Sequence, residues 1–152
     1  MIEDAYPEED FTMEKVDIPT VMAGRTFLEK VFLLHEEFTR PGGCSHTERL
    51  TRHMYDIEKM MDKPFASEAM NNQVMYNEIV AHRKAFTAWS GLDYGKHNPE
   101  TISFVPPAEI EEVLRNDYEQ MKYGFIYKDA PSYEHIIERL TELQNRFREI
   151  EW

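Results

Sequence analysis

Only one cysteine, Cys44, occurs in 152 residues, so no internal disulfide can staple this chain. It follows a Gly-Gly pair, where an incidental thiol is expected rather than a nucleophile. The six histidines, His35, His46, His53, His82, His97 and His135, are scattered, and none stands at zinc-ligand spacing from cysteine or carboxylates. No metal site is therefore expected. No run of about 18 apolar residues occurs, which leaves no candidate membrane span. A leader of charged, apolar and small residues is also missing, so a secretory signal is not expected and a cytoplasmic location is. Internal repeats and low-complexity tracts are absent. Basic charge is scarce: 17 Lys and Arg stand against 29 Asp and Glu, a formal net charge of −12. That balance argues against attraction of nucleic acid to the surface as a whole.

The charge that is present is unevenly placed. Residues 1–20 carry seven acids and one base, residues 21–100 eleven acids and ten bases, and residues 101–152 eleven acids and six bases. A basic middle between acidic flanks suits one local anionic ligand better than a long nucleic-acid track. The length is that of a single domain. We divide it into an acidic, proline-bounded segment, residues 1–19, with a possible strand near Phe11 to Val16, and a helical lobe, residues 20–152.

The lobe is organised around Arg25 to Lys63. From about Thr20 to Phe38, Val21, Phe27, Leu28, Val31, Phe32, Leu33, Leu34 and Phe38 cover more than half of a helical circumference, the pattern of a largely enclosed helix. Lys30 lies at the edge of that surface, apart from a solvent face of Arg25, Glu29 and Glu36. It either carries its ammonium out to water or meets an anion. Pro41-Gly42-Gly43 then breaks the helix, and Ser45 with Glu48 forms a capping box for the next. There, Leu50, Met54, Ile57 and Met61 form an inward stripe. Arg49, Arg52, His53, Asp56 and Lys59 fall within about 60° of Asp56 on an adjoining face. One reading is a solvated ladder from Arg52 to Asp56 to Lys59. The other is an anion-binding or general-base face, with arginines reading the anion and the aspartate kept ionised.

Further along, Asp62-Lys63-Pro64 ends the second helix. A third is expected from Asn71 or Asn72 to Trp89, burying Val74, Ile79, Val80 and Phe86, with His82, Arg83 and Lys84 as a cationic group. Ser90 to Lys96 superficially suggests a phosphate loop, but its glycine spacing is one residue short and no strand leads into it. Trp89 and Tyr94 are expected to pack. Thr101 to Val105 is a short strand candidate ended by Pro106-Pro107, and a fourth helix follows to about Met121. Tyr118, Tyr123, Phe125 and Tyr127 suggest an aromatic cluster. The last helix, from Pro131-Ser132, aligns Tyr133, Ile136, Ile137, Leu140, Leu143, Phe147 and Ile150. The fold class is thus mainly α, a single bundle of about five helices with at most one or two short strands.

The run RTFLEKVFLLHEEF, then RLTRHMYDIEKMMD, then HRKAFTAWSGLDYGKHNPETISFVPP resembles the C-terminal half of nucleotidyltransferase toxins of the AbiEii/AbiGii family. In that family a helical lysine and an arginine-aspartate element on the next helix complete a nucleotide site. By the resemblance these are Lys30, Arg52 and Asp56, with His53 standing where the element usually has its first aspartate. Lys30 and Asp56 are then the catalytic candidates. Lys30, Arg52, His53, Arg49, Arg25 and Arg83 are the nucleotide-binding ones, Arg83 on a second wall of the cleft.

The resemblance further implies a nucleoside triphosphate, GTP or a pyrimidine nucleotide, with Mg2+, and an intracellular acceptor such as the tRNA end. The family's Gly-Ser or Gly-Gly pair and metal-binding Asp-x-Asp strand do not precede Val16. The chain is therefore expected to be the C-terminal lobe alone, inactive by itself, with no tightly bound cofactor, meeting an antitoxin or a separate core. Gly42-Gly43 and Asp56-Ile57-Glu58 imitate that motif, but on a helix the two carboxylates point about 200° apart and cannot share a metal. The alternative is a non-enzymatic helical interaction module that docks an antitoxin or a core chain.

Overall fold

The computed structural model describes residues 20–44, 47–125 and 130–152. These form six helices, α1 (Ala23–Thr39), α2 (Leu50–Met60), α3 (Pro64–Met70), α4 (Gln73–Phe86), α5 (Glu111–Phe125) and α6 (Tyr133–Arg148). Two 3-10 turns, Tyr94–Lys96 and Ala108–Ile110, lie between α4 and α5. The domain is mainly α, as the periodicity predicts, with one helix more than the five anticipated.

The pair α1 and α2 forms the spine. α1 packs against α2, α3 and α4, while α2 packs against α5 and α6. Phe27, Leu28, Val31, Phe32 and Leu34 are wholly buried, which is why α1 is apolar over so much of its circumference. Leu50, Met54, Ile57 and Met61 make the inward stripe of α2 as expected. At the start of α1, a Cβ on Gly24 would stand 3.0 Å from both Ala69 Cβ and the Phe65 carbonyl oxygen of α3. The missing side chain thus sets how closely α1 and α3 approach.

The closing helix follows its pattern: Tyr133, Ile136, Leu140, Leu143 and Phe147 are buried. The Ser132 side chain caps it, accepting a 3.1 Å hydrogen bond from the His135 amide. Ser132→Ala is expected to cost about 1 kcal/mol and to lower the melting temperature by roughly 2–4 °C. An unchanged melting curve would show that the cap contributes nothing.

Several local expectations differ from the structure. Ser45, and with it the capping box, lies outside the described residues, and the second helix begins only at Leu50, with Arg49 in the left-handed region at φ 69°. The fold supplies a cap from elsewhere: the Asp117 carboxylate of α5 accepts from the Thr51 hydroxyl and, at 3.4 Å, from the Arg49 amide. Pro64 ends one helix and also opens α3, a short helix the periodicity missed, because its locked φ and absent N–H suit a first turn.

On α4, capped by Asn72, Ile79 is buried but Val74 and Phe86 are 69% and 77% exposed. The inward stripe is instead Tyr76, Ile79 and Arg83, so a charged residue takes a place that apolar counting gave away. Val21 and Met22, before α1, are exposed as well. Tyr118 is buried while Tyr123 is 96% exposed, so the two do not cluster. Tyr127 and the Phe125 side chain lie outside what is described.

Residues 101–105 do not join a ladder among the described residues. Their backbone is claimed by side chains: the Ser103 amide donates to His35 Nδ1 at 3.0 Å, the Phe104 amide to Gln144 Oε1 at 3.0 Å, and Arg148 reaches the carbonyls of Pro99 and Ile102. Backbone satisfied in this way has no need of a partner strand.

Candidate functional site

α1 and α2 are brought face to face by their apolar stripes, and that packing carries Lys30 onto the polar face of α2. The Lys30 ammonium donates to Asp56 Oδ2 at 2.8 Å, and His53 Nδ1 lies 3.3 Å from it. The cluster is partly shielded, with 21% of the lysine side chain and 35% of the aspartate side chain accessible. Burial, and after it the nearby Lys30 charge, pushes the His53 pKa below the usual histidine value. A neutral His53 can accept from the ammonium, which requires its remaining proton on Nε2. Lys30 therefore spends two of its three donors inside the protein. It neither snorkels to bulk water nor waits alone for an anion.

Of the salt-bridge ladder that is one reading of α2, the Asp56–Lys59 rung is replaced. Asp56 reaches across to α1, and Lys59 turns to Glu58 Oε2 at 3.0 Å and lies over the Tyr55 ring. Glu58 also faces His135 of α6, at 3.8 Å. Asp56 and Glu58 thus address different helices, Asp56 facing α1 and Glu58 facing α6. Among the described residues no group of three or more His, Cys, Asp or Glu could hold a metal ion. The one carboxylate of the cluster, Asp56, is already matched by an ammonium. These residues do not fit the two-magnesium centre that the family resemblance implies.

Arg52 and Arg49 extend the polar face toward the start of α2. Both line a cavity between α2 and α5, and the Arg52 charge bears on His53. Arg25 and Arg83 are elsewhere. Arg25 donates to Glu29 Oε1 at 3.0 Å along α1. Arg83 forms a two-pronged pair with Glu36, at 2.7 and 2.6 Å. Glu36 stands six positions from Lys30, about 120° away around α1 at 100° per residue, and Arg25 about 140° away. The structure therefore unites Lys30, His53 and Asp56, keeps Arg52 beside His53, places Arg49 with Arg52 on the neighbouring cavity, and sets Arg25 and Arg83 on another side of α1.

That other side holds a buried polar network absent from the sequence reading, which put Glu36 in solvent. Glu36 is 1% exposed and also accepts from His97 Nε2 at 3.1 Å. His97 is itself buried, stacks on Tyr94 and meets His35 edge to face. Burial raises the Glu36 pKa, but the Arg83 and His97 hydrogen bonds and charges outweigh it, leaving the carboxyl below its ordinary value. No local pattern signals such a network, whose members come from α1, α4 and the loop after it.

The fold and the lysine-aspartate junction define a mainly α domain with a partly shielded ion pair at the crossing of its two central helices. The chain belongs to the AbiEii nucleotidyl transferase toxin family of type IV toxin-antitoxin systems, whose family model matches residues 2–146. That match extends the resemblance upstream of Val16 into the acidic segment. Neither the search of curated proteins nor that of solved structures returned a match.

Proposed function

We propose that this chain acts as the C-terminal, nucleotide-gripping lobe of an AbiEii-type nucleotidyltransferase toxin. In this reading it holds the phosphates of a nucleoside triphosphate, GTP or a pyrimidine nucleotide taken up with Mg2+, while an intracellular acceptor such as the tRNA end is modified. The observation that carries the reading is the 2.8 Å contact between Lys30 and Asp56, partly shielded and flanked by His53 and Arg52.

A phosphate arriving at this cluster draws the ammonium toward itself and loosens its hold on Asp56. The carboxylate then becomes available to take a proton from an attacking hydroxyl, while Lys30 and Arg52 neutralise charge on the phosphates. His53, neutral, accepts from Lys30 without adding a second negative charge beside the nucleotide. The metal-binding carboxylates are to come from a separate core.

Calorimetric titration with GTP, CTP and ATP, with and without Mg2+, tests this. Saturable binding is expected, weakened at least about tenfold in Lys30→Ala, the loss of one charge-assisted contact. Binding that survives both Lys30→Ala and Asp56→Ala unchanged would refute the assignment.

A second reading, a non-enzymatic module docking an antitoxin or a core chain, draws on the outward-facing Val74 and Phe86 of α4 and Val21 and Met22 before α1. Phe86→Asp separates the two: it abolishes partner capture in the docking reading and leaves nucleotide affinity unchanged in the first.

A further inference from the structure

The cavity between α2 and α5 has a volume of about 440 Å3 and is lined by Arg49, Thr51, Arg52, Asp117, Gln120 and Met121. Helix geometry assembles it. Asp117, Gln120 and Met121 stand at i, i+3 and i+4 and so share one face of α5. The left-handed backbone at Arg49 turns the chain sharply into α2. The floor is braced, because the Asp117 carboxylate already accepts from the buried Thr51 hydroxyl and from the Arg49 amide. Arg49, Arg52 and Gln120 stand exposed around it, and the Met121 thioether is half-buried.

This mixture does not suit a phosphate, since a carboxylate in the floor repels one. It suits a flat heteroaromatic ring with hydrogen-bonding edges. A guanidinium stacks on such a ring, a thioether packs against it, and a carboxamide and a carboxylate read its edge. The cavity also adjoins the phosphate end. On α2, Arg52 lies about 40° from Asp56 and about 100° from Thr51, so it forms the border between the Lys30 cluster and the cavity.

We propose that this cavity is the nucleobase pocket of the site, with Gln120 and Asp117 determining which base is accepted; this rests on the reading of Lys30 and Arg52 as the phosphate grip. A nucleotide with its phosphates at Lys30 passes Arg52 and seats its base against Met121. The lone pairs left on Asp117 favour an edge that offers adjacent N–H groups over one headed by a ring-nitrogen acceptor.

The test is calorimetric titration of the full chain and of Gln120→Ala, Met121→Ala and Lys30→Ala with GTP, ATP, CTP and inorganic tripolyphosphate. Gln120 is exposed, so its truncation leaves the fold intact. Gln120→Ala is expected to weaken the preferred nucleotide by about fivefold, the value of one hydrogen bond. It should shift the ratio between GTP and ATP and leave tripolyphosphate within about twofold of the parent chain. Lys30→Ala should weaken all four ligands. If Gln120→Ala and Met121→Ala leave every nucleotide unchanged, or weaken tripolyphosphate as much as the nucleotides, the base pocket is refuted while the phosphate grip stands. If no ligand binds, or if Lys30→Ala changes none of them, the phosphate grip fails and the base pocket with it.

Discussion

Truncating Arg83 to alanine should cost about 3–5 kcal/mol, because it removes the guanidinium that neutralises the Glu36 carboxylate inside the protein and leaves it the His97 contact. Glu36 is 1% exposed and makes two close hydrogen bonds to the guanidinium, so water cannot replace what is lost. For a chain of this size the melting temperature should fall by roughly 6–20 °C. Arg83→Lys keeps the charge but not the planar fork, and should recover only part of the loss. The double replacement Glu36→Leu with Arg83→Met removes both charges and should be far milder than the single truncation, since a buried pair contributes little over an apolar one of similar volume. A cost below about 1 kcal/mol for Arg83→Ala would mean that the pair behaves as an exposed one. The same variants decide what Arg83 does for ligands: affinity measured well below the melting temperature should be unchanged, because Arg83 faces a different side of α1 from Lys30.

Acidification should destabilise the protein through the neighbouring His35. Its imidazole is buried, accepts from the Ser103 amide, and has its pKa held down to about 4 by burial and then by His97. Above pH 6.5 the ring is neutral whether the chain is folded or unfolded, and its protonation contributes nothing. Between pH 6.5 and 4 the unfolded chain takes up a proton that the folded chain refuses, so stability falls as pH falls. The full loss is about 3 kcal/mol, at 1.36 kcal/mol per unit. His53, also lowered, acts in the same direction. Glu36, held below its ordinary value, extends the loss: its stabilisation is present above pH 4.5 and disappears as pH falls through the folded pKa. His35→Asn keeps an acceptor for the Ser103 amide without a titrating ring. Chemical denaturation from pH 7.5 to 4 should give a flatter curve for that variant than for the parent. Parallel curves would show that His35 is not the group responsible.

Much of the architecture was legible because it rests on local periodicity. α1, α2 and α6 lie close to where their apolar stripes put them, and Asn72 and Ser132 cap the helices they precede. The exceptions have a shared cause. α3 is too short for a period to show. Counting apolar residues places Val74 and Phe86 inside, whereas α4 turns Tyr76 and Ile79 inward and pairs a half-buried Arg83 with Glu36 of α1. At the site, the wheel of α2 put His53 and Asp56 on one face, and Lys30 stood out on α1. That Lys30 would reach Asp56, 26 residues on, depends on how the two helices cross. Asp117 and Gln120 gave no sign at all, since their relevance comes only from the packing of α5 beside α2.

The sequence by itself determined the helical class, the apolar faces of α1, α2 and α6, the family and the residue types available for chemistry, because each of these is written in residue identity and spacing along one chain. Only the tertiary structure decided which charges meet. Lys30 pairs with Asp56, Arg83 with Glu36, and Asp117 with the start of α2, in each case across a separation in sequence that no local period spans. Charges are selective over a few ångströms, and those distances are set by the packing of the apolar stripes on the opposite sides of the same helices.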